Sequence, residues 1–140
     1  MKKISFLLII LFAFSSCKST KETASKETKT PFVWESANVY FLLTDRFNNG
    51  DKTNDFNYYR NKPTGKLRGF EGGDIRGVIQ KLDEGYFTDL GINVIWMTPI
   101  VEQIHDGVDE GTGFSYGFHG YWTRDWSTLD PNYGTKKDLA

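Results

Sequence analysis

Apolar and polar residues fall along this chain in separate blocks, and the blocks predict its elements. The first is a nearly unbroken apolar run at residues 4–14, preceded by Lys2 and Lys3 and followed by Ser15, Ser16 and Cys17. A bilayer-spanning helix needs about 20 apolar residues, so this run is too short to span as a stable helix. A positive start, an apolar middle and a small-residue end mark a targeting segment over residues 1–17. Residues 18–30 contain only Lys, Ser, Thr, Glu and one Ala, with nothing able to pack. They read as a disordered tether reaching to about residue 31, with folded structure in 32–140.

Residues 39–44 (VYFLLT) are apolar and rich in strand formers, which predicts a strand buried on both faces, as inside a parallel sheet. From Ile75 onward, Val78, Ile79, Leu82, Tyr86 and Leu90 follow at close to helical spacing. Asp74 is a natural N-cap for one helix over this span and Gly91 a natural stop. Residues 92–97 (INVIWM) form a second apolar run that ends at Thr98-Pro99. Strand, loop, helix, strand is one βαβ unit of an α/β fold, with a right-handed crossover placing the strands parallel. Residues 101–133 read as one long loop rich in aromatics and glycine, where α/β proteins place binding groups. Residues 135–138 (TKKD) read as a capping box opening a helix, and the sequence stops at Ala140, which is the expectation for a truncated chain.

Composition narrows the chemistry. A net charge of −1 with scattered Lys and Arg supplies no basic face for nucleic acid. The single Cys excludes an internal disulfide. Aromatics make up 16% of the residues and crowd the loops, where they suit stacking against sugars as well as packing. Just after the first strand, Asn49, Asp51, Asn54 and Asp55 fall within seven residues, with Gly50 to allow a sharp turn. Short oxygen side chains so crowded suit a hard cation such as Ca2+, and equally suit an Asx-rich surface turn. Asp45 with Arg46, and Arg124 with Asp125, read as charge pairs bracing loops, while nothing singles out His105.

Two resemblances add to this reading. Ser15-Ser16-Cys17 resembles a bacterial lipoprotein signal, which implies that Cys17 is lipidated and anchors the chain to a membrane of the cell envelope. Ordinary secretion with a free thiol stays open. Four segments in order, VYFLLTDRFNNGD, GGDIRGVI with LDEGYFTDLG, INVIWMTPI, and FHGYWTRDW followed by DPNYGT, resemble the start of the alpha-amylase family, glycoside hydrolase family 13. The nearest flavour is that of the calcium-binding bacterial alpha-amylases and cyclodextrin glycosyltransferases. The resemblance implies that residues 32–140 are an N-terminal fragment, the first two βα units, of a (β/α)8 TIM barrel. It implies a structural Ca2+ held by Asn49, Asp51, Asn54, Asp55, the carbonyl of Gly72 and the carboxylate of Asp74. It also implies that Tyr121 stacks on the sugar beside the scissile bond with Trp122 next to it, while His119 bonds a substrate hydroxyl or braces the loop.

The implied activity is retaining hydrolysis of alpha-1,4-glucans such as starch and maltodextrins, by an Asp nucleophile, a Glu acid/base and a further Asp. Family carboxylates of that kind lie on later strands, so no catalytic residue is assigned among these 140 residues, and the chain alone is expected to be inactive. Two strands cannot close a barrel. A surface glycan-binding lipoprotein and a non-functional remnant are the alternatives.

Overall fold

The structure is a computed structural model that describes residues 31–140. The expected targeting segment with Cys17, and all but the last residue of the expected tether, lie outside the described residues. Two strands, β1 (Val39–Leu42) and β2 (Val94–Met97), pair in parallel with Val39 opposite Val94 and Leu42 opposite Met97. Between them come α1 (Thr44–Phe47), α2 (Ile75–Asp83) and α3 (Tyr86–Asp89). The predicted parallel βαβ arrangement is therefore present.

One face of this strand pair carries the core. Leu42, Val78 and Phe87 are buried together, with Tyr40, Phe47, Ile92, Ile95 and Met97 packed against them. Tyr40 meets Phe87 edge-on at 5.3 Å, and Phe47 stacks on Phe87 at 5.6 Å. The other face differs from the expectation of a strand buried on both sides: Phe41 is 56% exposed and Trp96 is 62% exposed. Side chains alternate across a strand, so Tyr40 and Leu42 point to the helices while Val39 and Phe41 point away.

The single helix expected from residue 75 to 90 is two helices. Gly85, at φ +79°, breaks it, because a left-handed residue ends the α-helical hydrogen-bond run and costs glycine nothing. Apolar spacing continued through Gly85, so periodicity alone could not place the break. Asp74 does cap α2, accepting from the N–H of Gly77 at 2.6 Å.

The expected long loop is largely folded. β3 (Val101–Gln103) pairs antiparallel with β6 (Thr123–Leu129), with register irregularities on both sides of Glu102. Between them β4 (Val108–Asp109) and β5 (Phe114–Ser115) form a short antiparallel pair. The residues at 135–138 make a turn and no helix: the Thr135 N–H donates to Asp138 as in a capping box, but the Thr135 hydroxyl donates there too, and the Asp138 N–H bonds the Thr135 carbonyl and not its hydroxyl.

Charged side chains hold these segments together. Arg60 and Asp130 are both buried and meet as a fork, Nη1 to Oδ1 at 2.9 Å and Nη2 to Oδ2 at 2.7 Å. Arg60 also donates to the carbonyls of Gln103 and Ile104 and to Asn132 Oδ1, while Asn132 Nδ2 reaches the carbonyls of Asn54 and Asp55. Buried Glu102 accepts from Arg124 at 2.5 Å and lies 2.6 Å from His105 Nε2, and those partners hold its carboxyl below the usual range. His105 in turn stacks on Tyr58 at 3.7 Å. The expected Arg124–Asp125 pair is replaced by this one, because Asp125 instead accepts from Ser127 and Thr128 in a local turn.

Arg60→Leu leaves the Asp130 carboxylate buried without its counter-charge. We expect a loss of about 3–5 kcal/mol of stability, the usual cost of breaking a buried pair on one side. Thermal and urea unfolding of the protein measure it, and a loss below about 1 kcal/mol would show that water replaces the guanidinium.

Candidate functional site

Both strands deliver their chains into polar loops at the same end. Directly after β1, Thr44 is buried against Thr98, which follows β2: the Thr44 N–H donates to Thr98 Oγ1 at 3.1 Å, and the two hydroxyls lie 3.2 Å apart. The next residue, Asp45, is buried and accepts from the N–H groups of Glu71 and Gly72. It also pairs with Arg46, as expected. Arg46 donates to the carbonyls of Leu67 and Gly69 and lies over the Phe118 ring at 3.9 Å. One Asp-Arg dipeptide thus ties together the loop after β1, the glycine loop before α2 and the aromatic loop near residue 118.

The acidic loop and the glycine loop meet at Asp74. Its fully buried carboxylate accepts from the main chain of Gly50 at 3.0 Å and of Asp51 at 2.8 Å, from Asn54 Nδ2 at 3.1 Å, and from Gly77. Asn49 Nδ2 donates to Asp55 Oδ1 at 2.8 Å, and Asp51 Oδ1 accepts from Thr53. Gly72 stands at φ +91°, and a Cβ there would run into Asn49 and Asp55. Asn49, Asn54, Asp55, Gly72 and Asp74 therefore lie close together, while the Asp51 carboxylate is turned to Thr53. The Oδ1 atoms of Asn49 and Asn54 are buried there without a hydrogen-bond partner, an expensive state for an amide oxygen. Among the described residues no three His, Cys, Asp or Glu side chains converge as a metal site. A cation here would draw largely on amide and main-chain oxygens, as a hard ion accepts.

The aromatic loop is braced at nearly every residue. Tyr133, fully buried, donates its hydroxyl to the Phe118 carbonyl at 2.8 Å, and burial pushes its phenol pKa well up. Gly120, at φ +87°, packs its Cα against the Pro99 carbonyl just beyond β2, where a Cβ would collide. His119 Nδ1 accepts the Tyr121 N–H at 3.1 Å, so the proton of the neutral ring sits on Nε2. Burial pulls the pKa of His119 down, which keeps that ring neutral. The imidazole lies near-parallel to Tyr121 at 6.0 Å and edge-on to Trp122 at 4.8 Å. Tyr121 remains 59% exposed while Trp122 and His119 are half-buried. His119 braces the two rings, one of the two roles left open for it by sequence.

Sequence gave no warning of Gln103 or Arg60. Gln103 is fully buried in a strand of three residues, and its side chain accepts the Trp122 N–H at 2.8 Å. Arg60 lies in a turn-rich stretch with nothing to distinguish it from a surface cation, and its partner Asp130 is 70 residues away.

The alpha amylase catalytic-domain family model matches residues 41–140. The chain is 47% identical over 122 residues to the periplasmic alpha-amylase of Escherichia coli K12, covering 84% of this chain and 18% of that protein. It is 34% identical over 145 aligned positions to a cyclomaltodextrin glucanotransferase of Geobacillus stearothermophilus, covering 97% of this chain and 19% of that one. The crystal structure of an Anoxybacillus alpha-amylase superposes with a TM-score of 0.60 at 33% identity, over 78% of this chain and 21% of its own. The chain thus spans about a fifth of the length of the curated relatives it matches. On the family match and these identities, the chain belongs to the alpha-amylase family, whose catalytic domain is a TIM barrel.

Proposed function

We propose that this chain supplies the first two βα units of a (β/α)8 barrel in a glycoside hydrolase acting on alpha-1,4-glucans such as starch and maltodextrins. The observation that carries the reading is Tyr121: a broadly exposed ring held near-parallel to His119, on a loop packed beside the C-terminal end of β2. An apolar pyranose face packs on such a ring while its hydroxyls seek polar neighbours. Trp122 extends the surface, and His119 Nε2–H is a donor of the kind a sugar hydroxyl accepts. The retaining chemistry of an Asp nucleophile and a Glu acid/base would come from residues outside these 140. The open face of β1 and β2, with Phe41 and Trp96, suits a barrel interior that further strands would fill.

A bound Ca2+ would be structural. Asn49, Asp51, Asn54, Asp55, the carbonyl of Gly72 and the carboxylate of Asp74, which also fastens the acidic loop to α2, would hold it. The two orphaned amide oxygens support this reading. At the N-terminus, the Ser15-Ser16-Cys17 pattern supports lipid attachment at Cys17 and residence in the cell envelope, in keeping with the periplasmic relative.

In the full-length protein, Tyr121→Ala lowers kcat/KM for maltoheptaose about tenfold, equivalent to roughly 1.4 kcal/mol of transition-state binding. An unchanged value removes the stacking role. Calcium raises the melting temperature of the wild type in proportion to the logarithm of its concentration above Kd. Asp51→Ala flattens that dependence, and a variant that still responds like the wild type excludes the site. Cells grown with labelled palmitate incorporate label into the protein but not into its Cys17→Ser variant. Absence of label from the wild type rejects the anchor.

A further inference from the structure

We propose that Gln103 is a positioning residue for the sugar-stacking pair: its buried amide fixes the main chain of Trp122 and so sets how Tyr121 and Trp122 face a glucan. The inference rests on the glucan reading above, and it concerns a residue with no expected contact to sugar.

All four polar groups of Gln103 are committed. Its side-chain Oε1 accepts the Trp122 N–H at 2.8 Å, and its Nε2 donates to the Val101 carbonyl at 2.8 Å. Its own N–H donates to Asp130 Oδ2 at 2.9 Å, and its carbonyl accepts from Arg60 Nη2 at 3.0 Å. The backbone of Gln103 is thus clamped by the buried ion pair, and its side chain passes that constraint to the aromatic loop. The neighbouring Ile104 N–H donates to the Trp122 carbonyl at 2.9 Å. Consecutive residues therefore hold both polar groups of the Trp122 main chain.

An amide is needed here because the ladder fails. The β3–β6 register is irregular between Glu102 and Gln103, next to the point where β6 gives way to the aromatic loop. There the Gln103 amide stands in for a main-chain carbonyl. A fully buried amide costs free energy unless bonded. An apolar side chain of similar size would fill the space and leave the Trp122 N–H and the Val101 carbonyl unpaired. Gly117 keeps the room: a Cβ there would come within 3.1 Å of the Gln103 Cβ and 3.2 Å of its Oε1. Gln103 bonds the loop at Trp122 and lies close to Gly117, and its link to Tyr121 runs through the Trp122 main chain.

The test is a double-mutant cycle in the full-length protein, reading kcat/KM for maltoheptaose with near-UV circular dichroism as the check on folding. Gln103→Met lowers kcat/KM about tenfold in the wild-type background and by clearly less, about twofold, in the Tyr121→Ala background, where only the Trp122 share of the effect remains. Additive losses, or a folded Gln103→Met protein as active as wild type, overturn the proposal. Gln103→Glu gives a second readout in one variant. A protonated carboxyl matches the amide in shape, with an O–H for Val101 and a carbonyl oxygen for Trp122, whereas the carboxylate has no donor. Its kcat/KM relative to wild type therefore recovers as pH falls through the titration of that carboxyl and declines as pH rises. A ratio independent of pH overturns the proposal, and this series decides alone if Gln103→Met does not fold. If Tyr121→Ala itself changes nothing, the stacking role falls and the proposal with it, whereas a Tyr121 effect without coupling to Gln103 overturns only the proposal.

Discussion

The Arg60–Asp130 pair is the constraint on which the loop structure depends. Two unlike charges removed from water must satisfy each other and every remaining donor and acceptor, or the fold loses several kcal/mol. Arg60 goes most of the way by taking both oxygens of Asp130, the carbonyls of Gln103 in β3 and of Ile104 just beyond it, and the side-chain oxygen of Asn132, leaving its buried Nε without a hydrogen-bond partner. Each partner is a point at which another segment must be in place. The acidic loop joins through Asn132, and β3 joins through Gln103, whose N–H bonds the same carboxylate. A buried pair of this kind contributes less to net stability than to geometry, since few other arrangements of these loops would satisfy it.

The same economy repeats at Asp45 and Asp74. Both are buried carboxylates beside loops that have no ladder to pair with, and both accept several N–H groups from those loops. Charge-assisted bonds to main-chain donors are stronger than neutral ones and do the work that strand pairing does elsewhere. The glycines follow from this. Gly72 and Gly77 sit where a carboxylate or carbonyl of another loop approaches so closely that a Cβ would not fit. Here the apolar cluster on one side of the two strands is small, with Ile75, Tyr116 and Tyr133 buried apart from it, and the polar loops are held by a separate network.

Much of this was legible in the sequence for physical reasons. Strands β1 and β2 are dense apolar runs, and Asp74 combines the right residue type with the right place before a periodic segment, so their positions followed directly. The break at Gly85 did not, because apolar spacing carries through it and only the positive φ reveals the turn. The expected two-sided burial of β1 rested on composition, but its outward face has no covering element among the described residues, leaving Phe41 exposed. The 101–133 stretch hid two strand pairs because β4 and β5 are two residues each and β3 is three, too short for alternation to register. Gln103, Arg60 and Glu102 were invisible for another reason: each matters through a partner on a distant segment, Trp122, Asp130 and Arg124 respectively.

That difference explains why the aromatic loop looked like a loop and is in fact tied down at several points. Tyr121 and Trp122 are conspicuous by residue type, yet type says nothing of stiffness. The main chain around them is held by Tyr133 on the Phe118 carbonyl, by Gly120 against Pro99, and by Gln103 on the Trp122 main chain. Two of these three braces start from β3 or from the residues that follow β2, so the attitude of the rings is referred to the strand ends and not to the loop itself. A ring referenced to the strand ends in this way needs less further ordering, and ordering a mobile side chain costs roughly 0.5–1.5 kcal/mol. The buried charges therefore reach the surface: through Gln103 they help set the main chain that carries an exposed ring.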